Sequence, residues 1–153
     1  MEPGEVRLAL LFSDVVDSTQ ANVAAGDAAM AAAWAAHDEA ARALMRRWRG
    51  REIGRSDGFL VAFETVADAV GYAVAYHRSN AALAAPMRAR AGMHVGPVRL
   101  RFNAPADVER GATPFEVDGL ALPVAARVMS AALGGQTLLS GPAFEALDRE
   151  TVA

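Results

Sequence analysis

The tightest constraint on the fold is a four-residue stretch, Arg55, Ser56, Asp57 and Gly58. An Asp-Gly pair between two short apolar runs is a strong hairpin signal. It makes residues 51–54 and 59–63 antiparallel neighbours, with a helix-length segment on each side. Upstream, an alanine-rich stretch runs to about Arg49, with Trp34, Ala41, Trp48 and the pair Leu44/Met45 near one face, and Gly50 stops it. Downstream, residues 65–85 carry Val66, Ala69, Val70, Ala73, Val74 and Tyr76 as an apolar stripe that closes at Pro86. Residues 6–12 are apolar on both faces from Leu8 onward, as a covered central strand requires. Residues 90–95 and 98–102 read as a second hairpin around Gly96 and Pro97.

The remainder completes the pattern. Residues 103–115, with Pro105 and Pro114, read as an arm or loop. A helix follows Asp118 and Gly119; it tolerates Pro123 only in its first turn, runs through Arg127 to about Ala132, and is capped by Gly134 and Gly135. Residues 136–140 form a last core strand and 142–148 a last short helix. The order β-α-β-β-α-β-β-α-β-α predicts one α+β domain over residues 1–153: a ferredoxin-like sandwich, its antiparallel-rich sheet carrying helices on one face. The other face then needs a cover, which points to a partner subunit.

Composition narrows the chemistry. With 153 residues, 53% apolar and 22% charged, the chain reads as an ordinary soluble globular protein. A net charge of -3 gives no global pull toward nucleic acid or anionic lipid, so phosphate must be met by local features. The absence of cysteine removes disulfides and thiolate metal sites and suits a cytoplasmic location. The acidic start is unlike a signal peptide, and the alanine-rich residues 28–36 are too short to span a membrane.

Candidate chemistry lies at one corner. Asp14 closes the first strand and Asp57 sits in the hairpin turn, and a ferredoxin-like core puts the first strand beside the strand that follows that turn. Two adjacent carboxylates suit Mg²⁺ or Mn²⁺, which keep waters and take phosphates as remaining ligands; two such ions activate a hydroxyl and steady a leaving pyrophosphate. Asp17, Ser18 and Thr19 are candidate helix N-caps, and the backbone opening that helix is a phosphate cradle. Asp17 is either a cap or a metal ligand. His94, inside an apolar strand, reads as a satisfied core histidine; His37 and His77 read as surface residues, and Trp34 and Trp48 as core anchors. The arginines Arg46, Arg47, Arg49 and Arg51 read as a solvated helix end.

Four ordered segments sharpen this reading: LLFSDVVDST (residues 10–19), SDGFLVAF (56–63), AGMHVGPV (91–98) and GLALPVAARVMSAALGGQTLLS (119–140). Together they resemble the catalytic domain of class III adenylate and guanylate cyclases over nearly the whole chain. The resemblance implies a head-to-tail homodimer with active sites assembled from both subunits. It also implies a nucleoside triphosphate substrate and two divalent ions. Asp14 and Asp57 match the metal-binding aspartates, with the Val15 carbonyl as a further ligand. The backbone of residues 16–20, including Val16, Asp17, Ser18 and Thr19, matches the phosphate-binding turn. Arg127 matches the arginine that reaches from the second subunit to the transferring phosphate.

The pattern is broken at the base and ribose positions. Pro123 replaces the ribose-contacting asparagine, Ile53 stands where a lysine reads the purine, and Glu116 stands at the base-reading aspartate or threonine position. Arg55 offers a cation nearby without matching that lysine. Three readings follow: a cyclase with altered base recognition, pyrimidines included; a regulatory homology domain that binds nucleotide or dimerises; or another metal-dependent nucleotidyl enzyme on the same fold. The absence of a Gly-Gly-Asp-Glu-Phe segment argues against a diguanylate cyclase.

Overall fold

The computed structural model describes residues 4–17 and 23–152. Strand β1 (Glu5–Val15) is followed by helix α1 (Asp27–Arg47), the hairpin β2 (Arg51–Arg55) and β3 (Phe59–Phe63), and helix α2 (Val66–Ala82). Then come β4 (Ala89–Phe102), the short α3 (Pro105–Glu109), β5 (Phe115–Asp118), α4 (Ala121–Ser130), β6 (Thr137–Leu139) and α5 (Gly141–Val152). The sheet order is β2-β3-β1-β4-β5, with β6 parallel to β4. The run β2-β3-β1-β4 is antiparallel throughout and has the order of a ferredoxin-like core, the α+β architecture expected from the sequence.

Strand β1 is central because it is apolar on both faces: Leu10 and Leu11 are both fully buried. Odd-numbered residues Ala9, Leu11, Val61, Phe63, Ala91 and Met93 face a core built with α1, α2 and α5. Even-numbered Leu10, Leu60, Ala62 and Val98 face a second, smaller core. There the structure corrects the expectation of helices on one face only, because Ala121 and Ala125 of α4 pack into this second core. Beside α4 the second face stays open as a groove of about 1010 Å³, lined by Val6, Leu8, Ile53, Leu100, Phe115 and Val117 among others.

Strand β4 also departs from the predicted hairpin: residues 89–102 form one continuous strand. Its glycines serve close packing rather than a turn. A Cβ at Gly92 would lie 2.1 Å from the backbone nitrogen of Met129, and one at Gly96 would lie 3.3 Å from the Ala121 Cβ. Bare backbone on β4 is what lets α4 lie flat on the sheet. Strand β1 likewise runs past Phe12 to Val15, the short α3 forms within the expected loop 103–115, and β5 starts at its last residue. Helix α2 ends at Ala82 rather than near Pro86, and α4 at Ser130 before Gly134.

Several burial expectations change. His37 is fully buried, not on the surface. Its Nδ1 hydrogen donates to the Asp38 carboxylate at 2.8 Å, and its Nε2 accepts from the Tyr76 hydroxyl at 2.6 Å. Both ring nitrogens are satisfied by a neutral imidazole, which is why the core accepts it. His77 is half-buried against the Thr137 hydroxyl at 2.8 Å, and His94 is only half-buried, its Nδ1 2.7 Å from the Ser140 hydroxyl. Trp34 and Trp48 are partly buried flanks of the main core. On α2 the buried stripe includes Tyr72 and Asn80, while Val74 is 47% exposed. The arginine group is not simply solvated: Arg49 pairs with Asp68, and Arg51 lies 4.8 Å over the Phe115 ring.

Candidate active site

Three local contacts fix the corner where β1 meets the β2–β3 turn. The Val15 amide donates to the Asp57 carbonyl at 2.6 Å. The Phe59 amide donates to the Ser13 hydroxyl at 2.9 Å, clamping the start of β3 onto β1. Gly58 sits directly on β1, since a Cβ there would lie 2.1 Å from the Ser13 carbonyl oxygen. The turn that carries Asp57 is therefore seated on the backbone that carries Asp14, because an Asp-Gly turn leaves no side chain at the contact.

Asp14 lies within the strand rather than in a loop beyond it, opposite Arg90 of β4. Arg90 Nη2 and Nε reach the Asp14 Oδ2 at 3.2 and 3.3 Å. Sequence reading missed Arg90, because its role depends on the cross-strand register. Past Val15 the chain turns outward: the Val16 amide donates to the Arg88 carbonyl at 2.9 Å, and Asp17 takes a left-handed φ of 60°, which Asp tolerates better than most residues. Asp17 is exposed, and with Val15 and Val16 it lines a cavity of about 500 Å³ shared with Met30 and Arg88. Ser18 and Thr19 lie outside the described residues, so their capping and phosphate-binding roles stay expectations.

The other predicted positions scatter. Arg127 is exposed on α4 and makes no ion pair among the described residues. Pro123 is the third residue of that helix, where the missing N–H costs no intrahelical bond. It shares the exposed side of α4 with Leu120, 83% exposed, and Val124, 38% exposed. Ile53 packs against the second core and lines the open groove. Glu116 occupies the alternate position on β5, where it accepts from the Thr113 hydroxyl at 2.7 Å and the Asn103 amide at 3.3 Å. These bonds, that from Thr113 foremost, hold its carboxyl below the ordinary range. One chain therefore does not close a pocket from Ile53 and Glu116. Arg55 is committed elsewhere, 2.9 Å from Asp38 and 5.0 Å over the Trp34 ring.

The candidate donors at this corner, the Asp14 and Asp57 carboxylates and the Val15 carbonyl, are all oxygen, a donor type that suits a hard divalent cation. Among the described residues no three His, Cys, Asp or Glu side chains gather into a closed cage. An open oxygen site of this kind suits an ion that completes its shell with water and phosphate oxygens. A guanidinium already rests on Asp14, so the position accepts positive charge.

No protein-family model matches the chain, and no curated sequence matches it. Solved structures do. The chain is similar to the dimeric guanylyl cyclase domain of the RhoGC fusion protein from Blastocladiella emersonii, with a TM-score of 0.85, 16% identity, and coverage of 95% of this chain and 85% of that one. It is similar to the guanylate cyclase domain of RhGC from Catenaria anguillulae in complex with GTP (TM-score 0.83, 17% identity, 94% and 83% covered). It is also similar to a Trypanosoma brucei adenylate cyclase in its monomeric state (TM-score 0.81, 23% identity, 94% and 77% covered). The fold is that of class III adenylyl and guanylyl cyclase catalytic domains. Among the described residues no helix is long and apolar enough to cross a membrane.

Proposed function

We propose that this chain is a nucleotidyl cyclase that converts a nucleoside triphosphate to its 3′,5′-cyclic monophosphate and pyrophosphate, working as a homodimer with shared sites. The observation that carries this reading is the seating of the Asp57 turn on the Asp14 strand, beside an outward turn at Val16 and Asp17. In this reading Asp14, Asp57 and the Val15 carbonyl hold two Mg²⁺ or Mn²⁺ ions. Bound there, the ions supply charge neutralisation at the phosphates and acidify the attacking hydroxyl. The turn backbone orients the triphosphate. The ribose 3′-oxygen attacks the α-phosphorus in line, and the bond to the bridging α–β oxygen breaks as pyrophosphate leaves.

Arg127 is exposed and makes no ion pair among the described residues, so its charge is available to a second subunit. Its role there is to stabilise charge on the transferring phosphate, and its loss should cost about 3–4 kcal/mol of barrier. The open groove and the exposed Leu120 and Val124 supply apolar surface for that partner. Base recognition is non-standard, since Ile53 donates no hydrogen bond and Glu116 only accepts when ionised.

Incubating the protein with Mn²⁺ and each of ATP, GTP, CTP and UTP tests this directly, and cyclic monophosphate with pyrophosphate should form. Mixing inactive Asp57→Ala and Arg127→Ala chains should restore part of the activity, because one of the two sites is then intact. No product from any triphosphate would leave the second reading, a dimerising or nucleotide-binding homology domain. Pro123 favours that reading, because it removes the ribose donor from α4.

A further inference from the structure

Arg90 is a charged side chain that the proposed reaction does not use. It is half-buried, with 30% of its side chain exposed, and its partner Asp14 is exposed to the same extent. Its guanidinium makes two kinds of contact at once. Nε and Nη2 donate to the Asp14 Oδ2, while Nη1 donates to the Ser130 carbonyl at 3.2 Å. Ser130 is the last residue of α4, so this carbonyl belongs to the negative end of that helix. A fixed cation is thus held between a carboxylate and a helix C-terminus, and α4 is the helix that carries Arg127.

We propose that Arg90 is a built-in competitor for the divalent cation at Asp14, and that it sets the site's metal affinity. The inference rests on the metal-binding reading of Asp14 given above. The Asp14 Oδ2 that receives both Arg90 donors is an oxygen a metal needs, and a guanidinium and a divalent ion cannot share it at full strength. Metal entry therefore requires Arg90 to release Asp14. The released side chain keeps its bond to the Ser130 carbonyl, so it remains near the ion as a repelling charge. Arg90 is a positioning residue: it touches a metal ligand, not the substrate.

Partly exposed ion pairs of this kind are worth a factor of about two to five. Repulsion between the arginine and a bound ion adds to that factor. Arg90→Gln keeps a polar, hydrogen-bonding side chain, shorter than arginine, but removes the charge. It should tighten Mn²⁺ binding, read by the loss of free-ion signal in electron paramagnetic resonance, by about threefold or more. Arg90→Lys, which keeps the charge, should stay within about twofold of the wild type. In an Asp14→Asn background, Arg90→Gln should bring no gain. Circular dichroism and thermal melts without metal establish that each variant is folded, and the binding titration is independent of turnover. If the wild type binds Mn²⁺ through Asp14 and Arg90→Gln binds it equally or more weakly, Arg90 supports the ion and the competition is refuted. If neither chain shows Asp14-dependent binding, the metal-site reading itself fails, and this inference fails with it.

Discussion

Gly58→Ala is the most direct perturbation of the site's geometry. The new Cβ would start 2.1 Å from the Ser13 carbonyl oxygen, 2.5 Å from its carbon and 2.9 Å from the Asp14 nitrogen. All three are backbone atoms of β1, which is held on both sides by ladders to β3 and β4 and has no room to yield. The turn must move instead, by about 0.9 Å to bring the shortest contact from 2.1 Å to the 3.0 Å that real Cβ atoms respect. A shift of that size stretches the 2.6 Å bond from Val15 to Asp57 to the edge of hydrogen-bond range. Overpacking costs about 1–3 kcal/mol and the strained bond about 1 kcal/mol, for a total of about 2–4 kcal/mol. Gly54→Ala in the same hairpin is the control, because its nearest neighbour is the Leu60 Cβ at 4.0 Å. It should change stability by less than about 1 kcal/mol, in the stabilising direction if the shorter unfolded-state entropy dominates. Urea unfolding followed by circular dichroism measures both. Equal stability of the two variants would refute the claim that the Asp57 turn is seated by direct backbone contact.

Other expectations concern the core and the open face. Tyr72→Phe should be neutral or stabilising, because the Tyr72 hydroxyl is buried without a hydrogen-bond partner, whereas Tyr76→Phe should cost about 1–2 kcal/mol by orphaning the His37 Nε2; chemical unfolding compares them. Burial holds His37 below its ordinary value, against the pull of Asp38. The unfolded chain then binds the proton more readily, so stability is full above about pH 6.5 and falls as pH drops below it, in a urea midpoint series. His77 and His94 are lowered by burial too and add to the same slope, so His37→Gln should flatten it only in part. Leu120→Glu, on the exposed side of α4, should leave the melting temperature unchanged yet reduce dimer content in light scattering; unchanged association would remove α4 from the proposed interface.

Much of the fold was legible because its signals are local. The Asp57-Gly58 turn, the doubly apolar β1 and the helical stripe of α2 each depend on neighbours in sequence, and each formed close to where the pattern placed it. What escaped depends on contacts between distant residues. Gly96 and Pro97 look like a turn in sequence, yet Gly96 is there to admit Ala121 of α4. His37 looks like a polar residue on a polar helix face, and only its pairing with Tyr76, 39 positions away, makes it a core residue. Arg90 gains its meaning from sitting opposite Asp14 across a ladder. A reader holding β1 and β4 in antiparallel register would have found it, since the pairing of Leu10 with His94 fixes that of Asp14 with Arg90.

The two carboxylates of the corner are controlled by different physics. Asp57 is placed by backbone sterics, through a glycine that permits contact and an amide–carbonyl bond that closes it. Neither of these two backbone contacts depends on charge. Asp14 is placed by strand register, but its availability is set by a half-exposed guanidinium, an interaction that ionic strength weakens. In the proposed reading, a cation that arrives with a triphosphate would bring extra ligands and displace the arginine more readily than a free ion. If Asp14 and Asp57 hold metal as proposed, this arrangement would favour metal accompanied by nucleotide over the free ion. The backbone contacts at Gly58 and Val15 are built in advance, whereas in the proposed competition Asp14 would be yielded only to a ligand that replaces the charge of Arg90.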